Sequence, residues 1–269
     1  MIPVVFVHLN KWDYLETVLS QARKYNGEVY LVGDQNTNDP NYCDIKDYRR
    51  QMDIFHGVYE NHSSNDQWFE EACFWRWLIL DDFMHKHGIN RAFHLDSDVL
   101  LYANVTEEDK NKYSQYPITL IVGNCGASAF IDRDYLDGFC ELLIQTYQDK
   151  GEVFEWLKHL YSELQRQHMD GGACDMVLLQ LWRKRNKTKY AEMTDIVDGT
   201  TYDHIIKSPN PGNYLMKDGI KDIHFRGEFP YGTIADTGQE VKFNSLHFQG
   251  QEDRRILEYF RMGNANQNE

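Results

Sequence analysis

An apolar run at Val4–His8 and a second at residues 28–32 flank Leu15, Val18, Leu19 and Ala22, which fall at helical spacing. This strand–helix–strand unit constrains the fold more than anything else in the chain. Two strands joined this way lie parallel with a right-handed crossover. Asn10 is expected to cap the helix, which fades near Asn26-Gly27, and the second strand ends in Gly33-Asp34-Gln35-Asn36-Thr37. Ligands bind such sheets beyond the carboxyl ends of the strands. His8, Asn10, Asp34 and Asn36 therefore fall on the expected ligand-binding edge, with a cap or turn role the alternative for Asn10 and Asn36. The expected class is α/β, with a mixed, mainly parallel central sheet flanked by helices.

A third apolar run, Arg91-Ala92-Phe93-His94-Leu95, climbs to Asp96 and Asp98, and Val99-Leu100-Leu101-Tyr102 carries the chain away. Asp is disfavoured inside a strand, so this pair belongs at a strand end, where two carboxylates face the same solvent. Hard cations such as Mn²⁺ or Mg²⁺ take such oxygen ligands and usually bring a phosphate-bearing substrate. Asp132-Arg133-Asp134 is a second D-x-D triplet, and about two are expected by chance at this Asp content. It opens a helix expected over residues 136–147, so its acids are assigned to capping.

Between these landmarks, residues 39–60 are polar and irregular, with a short strand expected at Ile54-Phe55. Residues 65–87 carry Trp68, Phe69, Ala72, Trp75, Leu78, Ile79 and Phe83, a wide apolar stripe that predicts a long core helix ended by Gly88. Arg76 lies among these aromatics, either as a snorkelling or cation–π arginine or as a charge aimed at a diphosphate. Strands are expected at 119–122 and 127–131, and helices at 155–167 and 176–182. Gly171-Gly172, between Asp170 and Asp175, suggests backbone passing close to a ligand before a helix N-terminus. The alternative is an ordinary helix–helix turn with Asp175 as a first-turn acid. Beyond Tyr190 the chain reads as strands and turns, including a strand at 222–226, a turn at Pro230-Tyr231-Gly232 and a terminal helix at 254–261.

With 42% hydrophobic residues, 269 residues can bury a sizeable core. A net charge of −14 argues against nucleic acid and anionic membrane surfaces, which need a basic footprint. An acidic protein that binds phosphates needs a cation between them, which suits the aspartate pair. The start lacks a charged signal-peptide region and no apolar run reaches membrane-span length. Five cysteines without C-x-x-C spacing read as reduced thiols, so a cytoplasmic location is expected and zinc is not.

Four features occur in order: the N-terminal βαβ unit, a long helix with Phe74-Trp75-Arg76, the His94-Leu95-Asp96-Ser97-Asp98 strand end, and Leu246-His247-Phe248-Gln249-Gly250. Together they resemble the GT-A (Rossmann-like) nucleotide-sugar glycosyltransferases. The likeness is closest to groups that pair D-x-D with a late H-x-x-G, like the glycogenin and lipopolysaccharide galactosyltransferase family. The resemblance implies one GT-A domain over 1–262, with a nucleotide-binding half at 1–102 and an acceptor half at 103–262, and the polar residues 263–269 are expected to form a flexible tail. It implies Asp96, Asp98 and His247 as ligands to Mn²⁺ or Mg²⁺. Arg76 and Asp96 would lie at the donor, with His8, Asn10 and Asp34 at its nucleoside. Asp175 or Asp170 would be the catalytic carboxylate. The family's lysine three residues after the late glycine is Asp253 here, with Arg254 and Arg255 just beyond.

The implied function is metal-dependent transfer of a sugar, from a nucleotide-diphosphate sugar with UDP favoured, to a hydroxyl of a glycan or other acceptor, with retention. The alternatives are a non-catalytic nucleotide-sugar-binding protein of the same fold and another Mg²⁺-dependent phosphate-transfer enzyme. A D-x-D-x-T phosphatase wants Thr or Val where Leu100 stands. A nucleotidyltransferase wants a Gly-rich first loop, and residues 4–12 contain no glycine.

Overall fold

The computed structural model describes residues 1–10, 13–35 and 39–250. In chain order the elements are β1 (Val4–His8), α1 (Leu15–Arg23), β2 (Val29–Gly33), β3 (Tyr42–Asp44), α2 (Arg50–His56), α3 (Gln67–His87), β4 (Arg91–Leu95) and β5 (Val99–Leu101). Then follow α4 (Val105–Glu108), β6 (Ile118–Leu120), β7 (Ser128–Asp132), α5 (Arg133–Asp149), α6 (Glu152–Arg166) and α7 (Asp175–Arg185). The last part is all strand: β8 (Tyr190–Glu192), β9 (Thr200–Tyr202), β10 (Met216–Lys217), β11 (Ile220–Lys221), β12 (His224–Arg226), β13 (Phe229–Thr233) and β14 (Glu240–His247).

Seven strands form the central sheet in the order β3-β2-β1-β4-β7-β6-β8. Four of its pairings are parallel, and the two made by β7, to β4 and to β6, are antiparallel. The mixed, mainly parallel sheet of the expected α/β class is what forms. Successive side chains of a strand face opposite sides, so β1 sends Val4 and Phe6 into one core and Val5 into another. The first core is closed by α1 through Leu15, Val18, Leu19 and Ala22. The second is closed by α3, α5, α6 and α7, with Trp77, Phe83, Phe139, Tyr147, Phe154 and Leu178 fully or almost fully buried.

A second sheet, β12-β13-β14-β5, is antiparallel throughout, and β9 adds to β14 in parallel. The two sheets are joined by the turn of Asp96, Ser97 and Asp98, because β4 belongs to the first and β5 to the second. Pairing of His247 with Val99 ends β14 beside this turn. That junction positions the site.

Several local expectations give way to tertiary structure. Asn10 does not cap α1, which starts at Leu15 after Tyr14; it takes a left-handed turn at φ 72° instead. Ile54 and Phe55 lie in α2, where Phe55 is buried and Ile54 exposed, because an isolated apolar pair fits either period. Pro230, Tyr231 and Gly232 lie inside β13, and Gly232 stands where an added Cβ would come 2.7 Å from the Phe243 ring. Trp68 and Phe69 are exposed, because the first turn of α3 projects past the core and its buried face begins at Glu70. Asp66 caps α3, accepting from the Trp68 and Phe69 amides, and Gly88 ends it at φ 65°. The expected terminal helix at 254–261 and the tail lie outside the described residues.

The glycine pair also has a structural explanation. Gly172 bridges Ser63 and Gly171 exchanges hydrogen bonds with Ser64, so the close approach is to the chain itself. Gly172 has φ 150°, and a Cβ there would stand 2.2 Å from the His62 carbonyl oxygen. Gly172→Ala is expected to cost about 2 to 5 kcal/mol, from backbone strain and overlap together, measured by urea denaturation. A cost under about 0.5 kcal/mol would show that the close pass is not needed.

Candidate metal centre

At the carboxyl ends of the first parallel strands, polar groups are tied to one another. The Ser97 hydroxyl and His8 Nδ1 are hydrogen bonded at 2.7 Å, which joins the end of β1 to the D-x-D turn. Asn10 donates its backbone N–H to Asp34 Oδ1 at 2.8 Å, linking the ends of β1 and β2. Burial pushes the His8 imidazole below its ordinary pKa, although Asp34, Asp98 and Asp96 pull the other way.

The turn itself is fixed by backbone. Asp96 N–H donates to Ala127, Val99 N–H to Asp96, and Phe248 N–H to Asp98. Asp96, Asp98 and His247 consequently converge, with one ligand atom of each within 4.8 Å of the others. His247 Nε2 lies 3.5 Å from Asp98 Oδ1, which is wide for a hydrogen bond and leaves room for an ion. Its Nδ1 is 2.5 Å from the His204 carbonyl, which can only accept, so Nδ1 carries a proton and Nε2 turns to the carboxylates. Burial would depress the His247 pKa, but Asp98 first, then Asp96 and Asp203, outweigh it and push it up to about 9. Two carboxylates and one imidazole suit Mn²⁺ well and also admit Mg²⁺.

Behind His247 stands a buried ion pair that no sequence motif announces. Asp203 accepts the His247 backbone N–H at 3.0 Å through one oxygen and the Lys221 ammonium at 2.8 Å through the other. Lys221 also donates to the Ile205 carbonyl at 2.6 Å, and both side chains are almost wholly buried. Asp203 thereby fixes the backbone at His247, while the His204 carbonyl fixes its ring, as carbonyls do around metal-bound histidines.

Arg76 shows both of its expected faces. Its guanidinium lies 5.3 Å from the Trp77 ring centroid, and its donors reach two acids. One terminal nitrogen contacts both Asp96 oxygens at 2.8 Å, and the other contacts Asp175 at 2.5 Å. Burial alone would raise the Asp96 pKa, but Arg76, then His94 and His247, hold it below the ordinary carboxylate range. Asp175 is 2% exposed and also accepts from Trp77 Nε1 at 2.8 Å. Asp170 is exposed on its turn, and among the described residues no hydrogen bond or ion pair joins it to the cluster. Arg76→Lys cannot span both acids. The expected cost is about 1 to 3 kcal/mol in chemical denaturation, from a buried carboxylate left short of a donor. Wild-type stability would remove Arg76 from this bridging role.

Sequence reasoning missed His94, Ser97, Asp203, His204 and Lys221. His94 and Ser97 flank the acids and could have been found by adjacency, since His94 Nε2 reaches Asp96 at 3.2 Å. The decoy triplet lies elsewhere: Asp132 precedes α5 without capping it and pairs with Arg91 at 2.6 Å, while Asp134 is a first-turn acid. Asn36, Asp253, Arg254 and Arg255 lie outside the described residues.

No protein-family model matches the chain, and no curated protein matches it. It is similar to the structure of mouse xyloside xylosyltransferase 1, apo form, at 9% identity over 74% of this chain and 87% of that one, with a TM-score of 0.47. It is similar to the galactosyltransferase LgtC in complex with donor and acceptor sugar analogues, at 9% identity over 98% and 96% of the chains, with a TM-score of 0.44. It is also similar to the glycosyltransferase GlyE of Streptococcus pneumoniae TIGR4, at 14% identity over 73% of this chain and 46% of that one, with a TM-score of 0.37. The solved structures named here are all glycosyltransferases.

Proposed function

We propose that this chain is a metal-dependent glycosyltransferase of the GT-A type. It moves a sugar from a nucleotide-diphosphate sugar, UDP-linked by family resemblance, to a hydroxyl of a glycan or other acceptor, with retention. The observation that carries this reading is the convergence of Asp96, Asp98 and His247 at the end of β4. Those three would hold Mn²⁺ or Mg²⁺. When bound, the ion supplies positive charge against the diphosphate as it leaves.

The remaining steps fall to the chain's own residues. Arg76 keeps Asp96 ionised and presents a cation at the donor diphosphate. His8, Asn10 and Asp34 line the nucleoside end, where β1 and β2 stop. As the sugar's bond to the diphosphate oxygen breaks, the acceptor oxygen bonds to the same carbon and gives up its proton. That carbon passes through an oxocarbenium-like state, which a carboxylate stabilises. Of Asp175 and Asp170, we assign this part to Asp175, since Arg76 joins it to the cluster. The retention reading leaves the departing phosphate to take the acceptor proton.

Thermal-shift titration tests the reading directly. One of UDP-, GDP- or dTDP-sugars should stabilise the protein in the presence of Mn²⁺ and much less without it. No response to any of them would sink the proposal. Binding without hydrolysis or transfer would favour a nucleotide-sugar-binding protein instead.

A further inference from the structure

A second convergence of ligand atoms lies on the helical layer, and nothing in the reaction uses it. Asp81 and His85 are one turn apart on the same face of α3, the spacing at which helix side chains meet. Asp137 comes from the neighbouring α5. One ligand atom of each lies within 4.8 Å of the other two. These residues line an open cleft with Arg50, Gln51 and Glu141.

An independent observation points to a missing partner. Asp81 is 4% exposed, and its buried Oδ1 accepts no hydrogen bond; the alternative to a cation is a proton shared with Asp137, since burial and that neighbouring carboxylate push the Asp81 pKa up to about 7. The other oxygen accepts from the Gln51 amide. His85 Nε2 is 3.8 Å from the unpartnered Oδ1, beyond hydrogen-bond reach, and 2.7 Å from Asp137 Oδ1. A buried carboxylate oxygen without a partner is costly. Arg50 does not supply one, because its guanidinium goes to Asp82 at 3.1 Å. Asp81, Asp82, Asp137 and Glu141 thus crowd one arginine and one imidazole.

We propose that Asp81, His85 and Asp137 form a second site, for a divalent transition-metal cation, that pins α3 to α5. Its donor set, two carboxylates and one imidazole, is that of the first centre, and Zn²⁺ serves as the probe because such a set binds it more tightly than Mn²⁺. Three protein ligands leave a fourth position open to the cleft. The site is separate from the D-x-D centre. The end of α3 leads into the start of β4, whereas Asp96 and Asp98 follow its end. Its role is structural, holding the helix that carries Arg76.

The test is Zn²⁺ titration of the metal-stripped 269-residue chain by calorimetry, with Co²⁺ absorption as a probe of coordination. Asp98→Asn weakens the first centre and should leave a Zn²⁺ equivalent in place. That equivalent should disappear in Asp98→Asn with His85→Ala, and in Asp98→Asn with Asp137→Asn. Both added changes are at half-exposed side chains, so they should leave the fold intact, checked by circular dichroism. Intense visible Co²⁺ bands should vanish with the same variants. No Zn²⁺ uptake in Asp98→Asn, or uptake indifferent to His85→Ala and Asp137→Asn, would overturn the proposal. Proton exchange between Asp81 and Asp137 without metal uptake would overturn it too.

Discussion

Asp98→Asn is expected to remove most of the Mn²⁺-dependent stabilisation by a nucleotide sugar and to lower turnover by roughly a hundredfold to a thousandfold, about 3 to 4 kcal/mol. The reason is the division of labour between the two aspartates. Asp96 is already engaged by Arg76 and His94, whereas among the described residues the ion-pair partner of Asp98 is His247. Asp98 is therefore the carboxylate with most to give an ion. Asp96→Asn should disturb Arg76 as well, and its donor affinity should fall even without metal. Mn²⁺ titrations of thermal shift and of turnover separate the two. An Asp98→Asn protein with the wild-type metal response would contradict the assignment.

The same centre has a signed pH dependence. In the metal-free protein His247 is pushed up to about 9 from an ordinary 6.5. A group raised in this way contributes stability that is fully present below pH 6.5 and lost as pH rises through about 9. Metal binding needs Nε2 without its proton, so affinity should rise by up to about tenfold per pH unit across the same window. The metal-free melting temperature should fall while the Mn²⁺-induced shift grows. His247→Ala should flatten both trends.

What the sequence made legible follows from the range of the interactions. The βαβ unit and the Asp96–Asp98 strand end were readable because each is a local pattern, alternation or helical spacing closed by a turn. His247 was readable only through resemblance, since 149 residues of spacing carry no physical signal that β14 returns beside β5. Asp203 and Lys221 were not readable. Each is an ordinary charged residue until β11 and the 203–206 segment are packed against β14, and burial is what gives the pair its weight. Trp68 and Phe69 erred the other way: periodicity placed them in the core, but it does not say where the core ends. Gly171 and Gly172 suggest backbone passing close to a ligand, but what they approach is the 62–64 backbone.

Lys221→Met should be the most destabilising of the changes around His247, at about 3 to 5 kcal/mol in urea denaturation. Lys221 and Asp203 side chains are 1% and 0% exposed, so removing the ammonium leaves a buried carboxylate with no counter-charge. Met keeps most of the volume, so packing loss is a minor part of the effect. Adding Asp203→Asn removes the stranded charge but keeps an oxygen that can accept the His247 backbone N–H. The double variant should therefore recover more than half of the loss, a strong coupling in a double-mutant cycle. Its Mn²⁺ affinity should nonetheless remain about tenfold or more below wild type, because the carboxylate behind the ligating histidine is gone. Additive single effects would mean that the two side chains do not act as a pair. Full recovery of metal affinity in the double variant would mean that Asp203 supports the strand end and not the ligand.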